Sequence, residues 1–484
     1  MKTKKMFLVG FAAIVTILFL CEGCKGDDDD DGISKVPIGT ELTASNASEV
    51  LGDNWKNKEE IIIPDGVTYI DLSFAWNSDN LSKITLPDSV TKMHNAGTRN
   101  ITINVSNIKI YLKINFTKSI NRNFNLEVNG KRVTNLVIPD GIPRINQYAF
   151  YGCESLESVS FPNKGETVIM PFAFCECPNL TVLNIGDGVA IIGAYAFSEC
   201  KNIRSVYVPD NVVYMGNGVF RGCDMLQELN LPFLGEAIDS TVRPFGRVRY
   251  LFSDPDAGYN NEYNHGDCLP SLENMTIRGG VITGFSSLTK SEGEGCFFNI
   301  TIGDKVTEID MGAFSRCERL KSIVIPDTVT NIGENAFYNC VNLESITLGD
   351  GLSKVEDSIF ENCSSVSEIT IGSNVSEIGE CAFAGCSNLR SITIIGNGDT
   401  KLNEKNMFLG CSSLSFVTIG EGVSLIRPEI FKDCPLESFI FYNTEGWVRA
   451  YQKFTESIDV SNPSYNAHNV KNAWKDDNFL QREE

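Results

Sequence analysis

IVIPDTVTNIGENAFYNCVNL, residues 323–343, contains one whole structural unit. Ile323 and Ile325 alternate with Val324, the period-two pattern of a short half-buried strand. Pro326 and Asp327 end that strand, because proline has no N–H to give a ladder and presets a turn. Further on, Ala336, Phe337, Cys340 and Leu343 recur about every three residues, which places them on one apolar stripe of a short helical or 3-10 segment. A strand, a turn and a stripe cannot enclose a core alone. Only copies stacked on both sides bury Phe337 and Leu343.

Those copies are present. Phe314, Phe337, Phe360 and Phe383 stand 23 residues apart, as do Phe408 and Phe431 and, upstream, Phe174, Phe197 and Phe220, with Phe150 placed 24 residues before Phe174. Three residues after each of these anchors stands a cysteine, from Cys153 to Cys434. Strand segments equivalent to 323–329 recur as LVIPDGI at 136–142, VYVPDNV at 206–212, ITLGDGL at 346–352 and VTIGEGV at 417–423, with earlier copies at 61–67 and 84–90. Stacked, the strands form a parallel sheet with neighbours about 4.7–4.9 Å apart, and the short helical turns line the opposite side.

Spacing and residue types together resemble the BspA-like family of bacterial leucine-rich repeats, whose units read approximately I-x-I-P-x-x-V-x-x-I-G-x-x-A-F-x-x-C-x-x-L. Residues 323–343 match that unit nearly throughout, and the resemblance covers roughly residues 56–445. It implies an α/β leucine-rich-repeat solenoid with parallel strands on one face and short helical or 3-10 turns on the other. It also implies a cell-surface or secreted protein of a kind that includes adhesins. The expectation is a non-catalytic protein that binds an extracellular protein or glycan; the alternative is a surface lipoprotein that captures polysaccharide for a nutrient uptake system.

Organisation follows from the same pass. Residues 1–23 have a signal-peptide pattern, Lys2, Lys4 and Lys5 before the apolar run Phe7 to Leu20, too short to span a membrane. Gly23 before Cys24 resembles a lipobox, which makes Cys24 the expected acylated residue and a lipid anchor in the outer membrane, exposed at the cell surface, the expected location. Residues 24–55 begin with the like-charge block Asp27 to Asp31 and are expected as a tether leading into the array. Degenerate repeats are expected at 56–135, regular ones at 136–231, an insertion at 232–271, further repeats at 272–445, and a cap and tail at 446–484.

Composition narrows the chemistry. With 62 Asp and Glu against 41 Lys and Arg, the chain repels a polyanion over most of its surface, so nucleic acid is not an expected partner. Three His, with no Ser elbow, phosphate loop or HExxH helix, give little ground for an enzyme. No cofactor is expected. The ladder cysteines lack the paired spacing of zinc sites, and buried free thiols are favoured over disulfides, although stacked neighbours could come within bonding reach. Outward strand positions Ser322, Val324, Ser345, Thr347, Thr370, Ser391, Thr393 and Thr418 predict a row of small, mostly hydroxyl side chains on an open face. In the insertion, Arg243, Arg247 and Arg249 lie close to Tyr250, Tyr259 and Tyr263, and Arg and Tyr are types enriched at binding hot spots. A contact role for these six stands beside a purely structural flap. Asp88-Ser89-Val90, Asp239-Ser240-Thr241, Asp327-Thr328-Val329 and Asp357-Ser358-Ile359 resemble an O-glycosylation acceptor, and turn formation after a strand equally explains two of them.

Overall fold

The computed structural model describes residues 36–234, 248–252, 272–282, 299–442, 447–451, 454–457 and 479–482. Each regular coil carries two strands. In the coil of Phe337 they are Ser322–Val324 and, beyond the Pro326-Asp327 corner, Asn331–Ile332. The first pairs in parallel with Ser345–Thr347 of the next coil, Ile323 facing Ile346. The second belongs to a separate run of parallel pairs, with Glu308 and Ile309 facing Asn331 and Ile332. Similar pairs join Asn135–Val137, Ser158–Ser160 and Val182–Asn184 on one side and Arg144–Ile145 through Tyr214–Met215 on the other.

The third side is built of turns rather than helices. Two residues before and two after every anchor Phe except Phe431 the backbone is left-handed: Asn335 at φ 58° and Asn339 at 59° flank Phe337, and Tyr195 at 56° and Glu199 at 59° flank Phe197. A left-handed residue interrupts a right-handed helix, so no helical run forms there. The N–H groups point along the solenoid instead. Asn335, Phe337 and Asn339 donate to the carbonyls of Asp357, Ile359 and Glu361 at 3.1, 2.9 and 2.9 Å. Among the described residues 3-10 geometry is confined to Trp55–Asn57, Leu72–Asn77 and Pro428–Phe431.

Inside, the anchors form two columns of stacked rings. Phe314, Phe337, Phe360, Phe383, Phe408 and Phe431 follow one another at centroid distances of 5.0, 5.4, 5.8, 5.4 and 4.9 Å. Phe150, Phe174, Phe197 and Phe220 do so at 4.8, 5.5 and 6.3 Å. The spacing is near that of neighbouring strands, so one ring per coil fills the column without a gap. The cysteines complete each turn. The Cys340 thiol donates to the Phe314 carbonyl of the preceding coil at 3.1 Å, and Cys177, Cys200, Cys363 and Cys386 repeat the contact at 3.0–3.2 Å. A small apolar side chain that still carries a donor suits a buried carbonyl with a lone pair to spare.

Both ends and the interruption depart from the sequence reading. Residues 36–55 are not all tether: Thr40–Leu42 pairs with Val67–Asp71, and Leu42, Ala47 and Trp55 are buried, closing the exposed end of the first coil. In the weak stretch, Lys92–Val105 and Asn115–Val128 are 14-residue strands that run through both sheets with no Phe turn between. ITINV supplies the first-strand part, paired with Lys83–Thr85, and the strand is already formed over residues 95–100, where a regular coil turns. In the 232–271 segment, Phe233 and Leu234 are buried, and the helix Val248–Phe252 takes a repeat's place. Phe220 N–H donates to the Leu251 carbonyl at 3.0 Å, and the Phe252 ring lies 6.4 Å from that of Phe220. Phe252 is therefore the next rung, and these residues belong to the array rather than to an insertion. At the C-terminal side Phe479–Arg482 pairs antiparallel with Phe416–Ile426 and with Trp447–Tyr451. Among the described residues no helix is long and apolar enough to cross a membrane.

Candidate functional site

The first strands leave one face of the solenoid open. Ile323, Ile346, Ile369, Ile392 and Val417 point inward and are buried. Their neighbours point out: Ser322, Val324, Ser345, Thr347 and Thr370 are exposed, and Ser391, Thr393 and Thr418 half-exposed. Register lines them into rows. Ser322 faces Ser345, Val324 faces Thr347, Thr370 faces Thr393, and Thr393 faces Thr418. Towards the N-terminal side the rows continue as amides, with Asn230 facing Thr276 and Asn274 facing Asn299. Tyr207 and Phe416, 52% and 49% exposed, add apolar area to the same face. Repeated hydroxyls and amides offer donors and acceptors at a fixed spacing of about 4.8 Å, which suits contact along an extended partner.

One coil departs from this pattern. Arg278 stands where other coils have Pro326 or Gly349 after the strand, and its guanidinium reaches over two neighbouring strands. It contacts Asp210 at 2.7 Å, the Asn230 side-chain oxygen and the Val208 carbonyl, and it lies 4.4 Å over the Tyr207 ring. Lys305 joins Asp210 at 2.6 Å. Lys305 and Arg278 hold the Asp210 carboxyl below the usual carboxylate range. This polar clasp bridges the strands Ser205–Tyr207, Glu228–Leu231, Asn274–Ile282 and Asn299–Ile309. MTIRGGV reads in sequence as one more strand, so the signal was confined to a single misplaced arginine.

Of the six insertion residues only Tyr250 has a described side chain. Tyr250 lies half-buried against the core and its carbonyl accepts the Gly218 N–H at 2.7 Å, so it is a packing residue of the array. Of Arg249 only the backbone is described; Arg243, Arg247, Tyr259 and Tyr263 lie outside the described residues, as does Cys24. The cysteines in the described residues are free thiols. Burial pushes the Cys153 thiol up to about 11 and the Cys386 thiol up to about 12, and holds Cys177, Cys223, Cys317 and Cys363 well above the ordinary range. Among the described residues no group of His, Cys, Asp and Glu is placed to hold a metal. Of the acceptor-like triplets, Ser89 and Thr328 donate to the Val67 and Val306 carbonyls, each at 2.8 Å, as turn residues do. Asp239-Ser240-Thr241 lies outside the described residues.

The pattern that defines the BspA type leucine rich repeat region matches residues 53–128, 119–242, 293–404 and 397–452, well over half of the chain. The chain belongs to that family. Among solved structures, this BspA-type chain is similar to a leucine rich cell surface protein of Faecalibacterium prausnitzii, with 20% identity over 75% of this chain and 88% of the other and a TM-score of 0.26. A leucine-rich repeat protein of Bacteroides ovatus shares 23% identity over 76% and 82%, with a TM-score of 0.35. The pneumococcal vaccine antigen PcpA shares 18% over 75% and 74%, with a TM-score of 0.28. No curated protein matches the sequence.

Proposed function

We propose that this BspA-type protein is a lipid-anchored, surface-exposed and non-catalytic binding protein, and that its open strand face contacts an extracellular protein or glycan. The observation that carries this reading is the set of mostly small polar outward side chains between Ser322 and Thr418, paired in register from Ser322 to Thr347 and again from Glu368 to Thr418 and left exposed or half-exposed. A rigid, repetitive surface loses little side-chain freedom on binding, which favours extended partners over small ones. The leader pattern ending at Cys24 and the acidic block behind it support the anchor.

An array of extracellular-matrix proteins and polysaccharides tests the binding role, probed with the wild-type protein and with the triple variant Ser345→Arg, Thr347→Arg, Thr370→Arg. Loss of the wild-type hits with unchanged melting supports the open face; retention of every hit removes it. Location is tested separately. Protease shaving of intact cells should release the protein, and Cys24→Ala should abolish acylation and membrane retention while leaving folding intact; a variant still partitioning with detergent would refute Cys24 as the anchor.

A further inference from the structure

Charge is not spread evenly along this acidic chain. Residues 91–132 hold eight Lys and Arg against one acid, Glu127, in a protein with a formal charge of −21. The fold gathers the cations. Lys109 and Lys113 follow Val105, Lys131 and Arg132 follow Val128, and Val105 pairs with Val128, so all four leave from the same end of two adjacent strands. Lys92 pairs with Asn115, where the Lys109–Lys113 segment enters the other sheet. All five are exposed. Among the described residues none has an acidic side chain within 4.0 Å; the ion pairs there are Lys83 with Glu60 and with Glu127, at 3.4 and 3.1 Å. Glu127 is thus already engaged, and Asp88, at the corresponding corner of the preceding coil, takes the Ser106 hydroxyl at 2.6 Å.

We propose that this corner of the N-terminal coils is a binding surface for an acidic polysaccharide, one bearing carboxylate or sulfate groups along its length. At physiological salt the field of a charge fades over about 8 Å, so an approaching polymer responds to these cations and not to the net charge of distant coils. Exposed cations without a carboxylate partner on a rigid edge bind a spaced row of anions by charge, with little demand for a shaped pocket; of the five, Lys92 lies 5.2 Å over the Tyr69 ring. A nucleic acid would in addition stack its bases, and the exposed residues of this corner are Lys, Arg and small polar types, while the half-buried Tyr69 ring lies beneath Lys92. The surface is distinct from the open strand face, and its test stands apart from that reading.

The full-length protein is titrated with polygalacturonate, dextran sulfate, uncharged dextran of the same length and a single-stranded oligonucleotide. The two anionic glycans should bind, uncharged dextran should not, and binding should weaken more than about tenfold between 0.05 and 0.5 M salt. Lys109→Glu with Lys113→Glu, Lys131→Glu and Arg132→Glu should lose more than about tenfold in affinity. The same number of reversals elsewhere, Lys164→Glu, Lys321→Glu, Lys405→Glu and Lys432→Glu, should leave most of it, which separates the corner from net charge. If the corner variant melts below the wild type, the matching Gln variant is read in its place. Equal binding of charged and uncharged dextran, equal losses in the two variants, or an oligonucleotide that outbinds both glycans would each overturn the proposal.

Discussion

At the scale of single residues, the repeat is held by an aromatic ring and a thiol with different tasks. Phe337 is fully buried between Phe314 and Phe360, so Phe337→Ala should cost ~3–5 kcal/mol, whereas exposed Thr347→Ala should cost under about 0.5 kcal/mol. Similar midpoints for the two in denaturant titrations would contradict the register. The thiols predict a pH dependence. Cys153 titrates at about 11 in the fold against an ordinary value of 9.0, so burial favours its neutral form. Its share of stability is full below about pH 9 and is lost as pH rises through 11, because the unfolded chain then gains a thiolate that the fold refuses. Alkylation followed by mass spectrometry should find half-exposed Cys381 modified in the native protein and Cys340, Cys363 and Cys386 protected until it unfolds. Native labelling of the three would be inconsistent with their hydrogen bonds to Phe carbonyls. These residues were legible in sequence because one type recurs at one spacing; the thiol's carbonyl partner was not, because it lies in the preceding coil.

At the scale of elements, legibility depended on length and constancy. First strands carry alternation over three or more residues and were read correctly. Asn331–Ile332 and its counterparts are two residues long, too short for any period to show. The turns were read as short helical or 3-10 segments from the three-residue spacing of Phe337, Cys340 and Leu343, a spacing that a hydrogen-bonded turn produces as well as a helical run does. Their left-handed positions hold Tyr, Phe, Glu, Arg, Ser and Cys as well as Asn and Gly, so no residue type marks them. Phe252 was missed because it stands 32 residues after Phe220 instead of 23. If it is a rung, Phe252→Ala should lower the melting temperature by an amount similar to Phe220→Ala; an unchanged melting curve would return residues 248–252 to a dispensable insertion.

At the scale of the whole molecule, the solenoid explains why function resists reading from motifs. Its candidate surface is assembled from one or two side chains per coil, none distinctive in its own unit, and its meaning comes from register. Ser322, Thr347 and Thr418 were identifiable as outward residues from alternation alone, while the Arg278 clasp and the basic corner emerge only when coils are placed side by side. The central claim is that the open strand face makes the contact. Hydroxyl-radical footprinting of the full-length protein, with and without the first partner the array returns, tests it most directly. Tyr207, Val324 and Phe416 report on the open face, and Met311 and Leu409, 60% and 51% exposed beside the anchors Phe314 and Phe408, report on the turns. Protection of Tyr207, Val324 and Phe416 with Met311 and Leu409 unchanged is the expected result; protection of Met311 and Leu409 alone would contradict it.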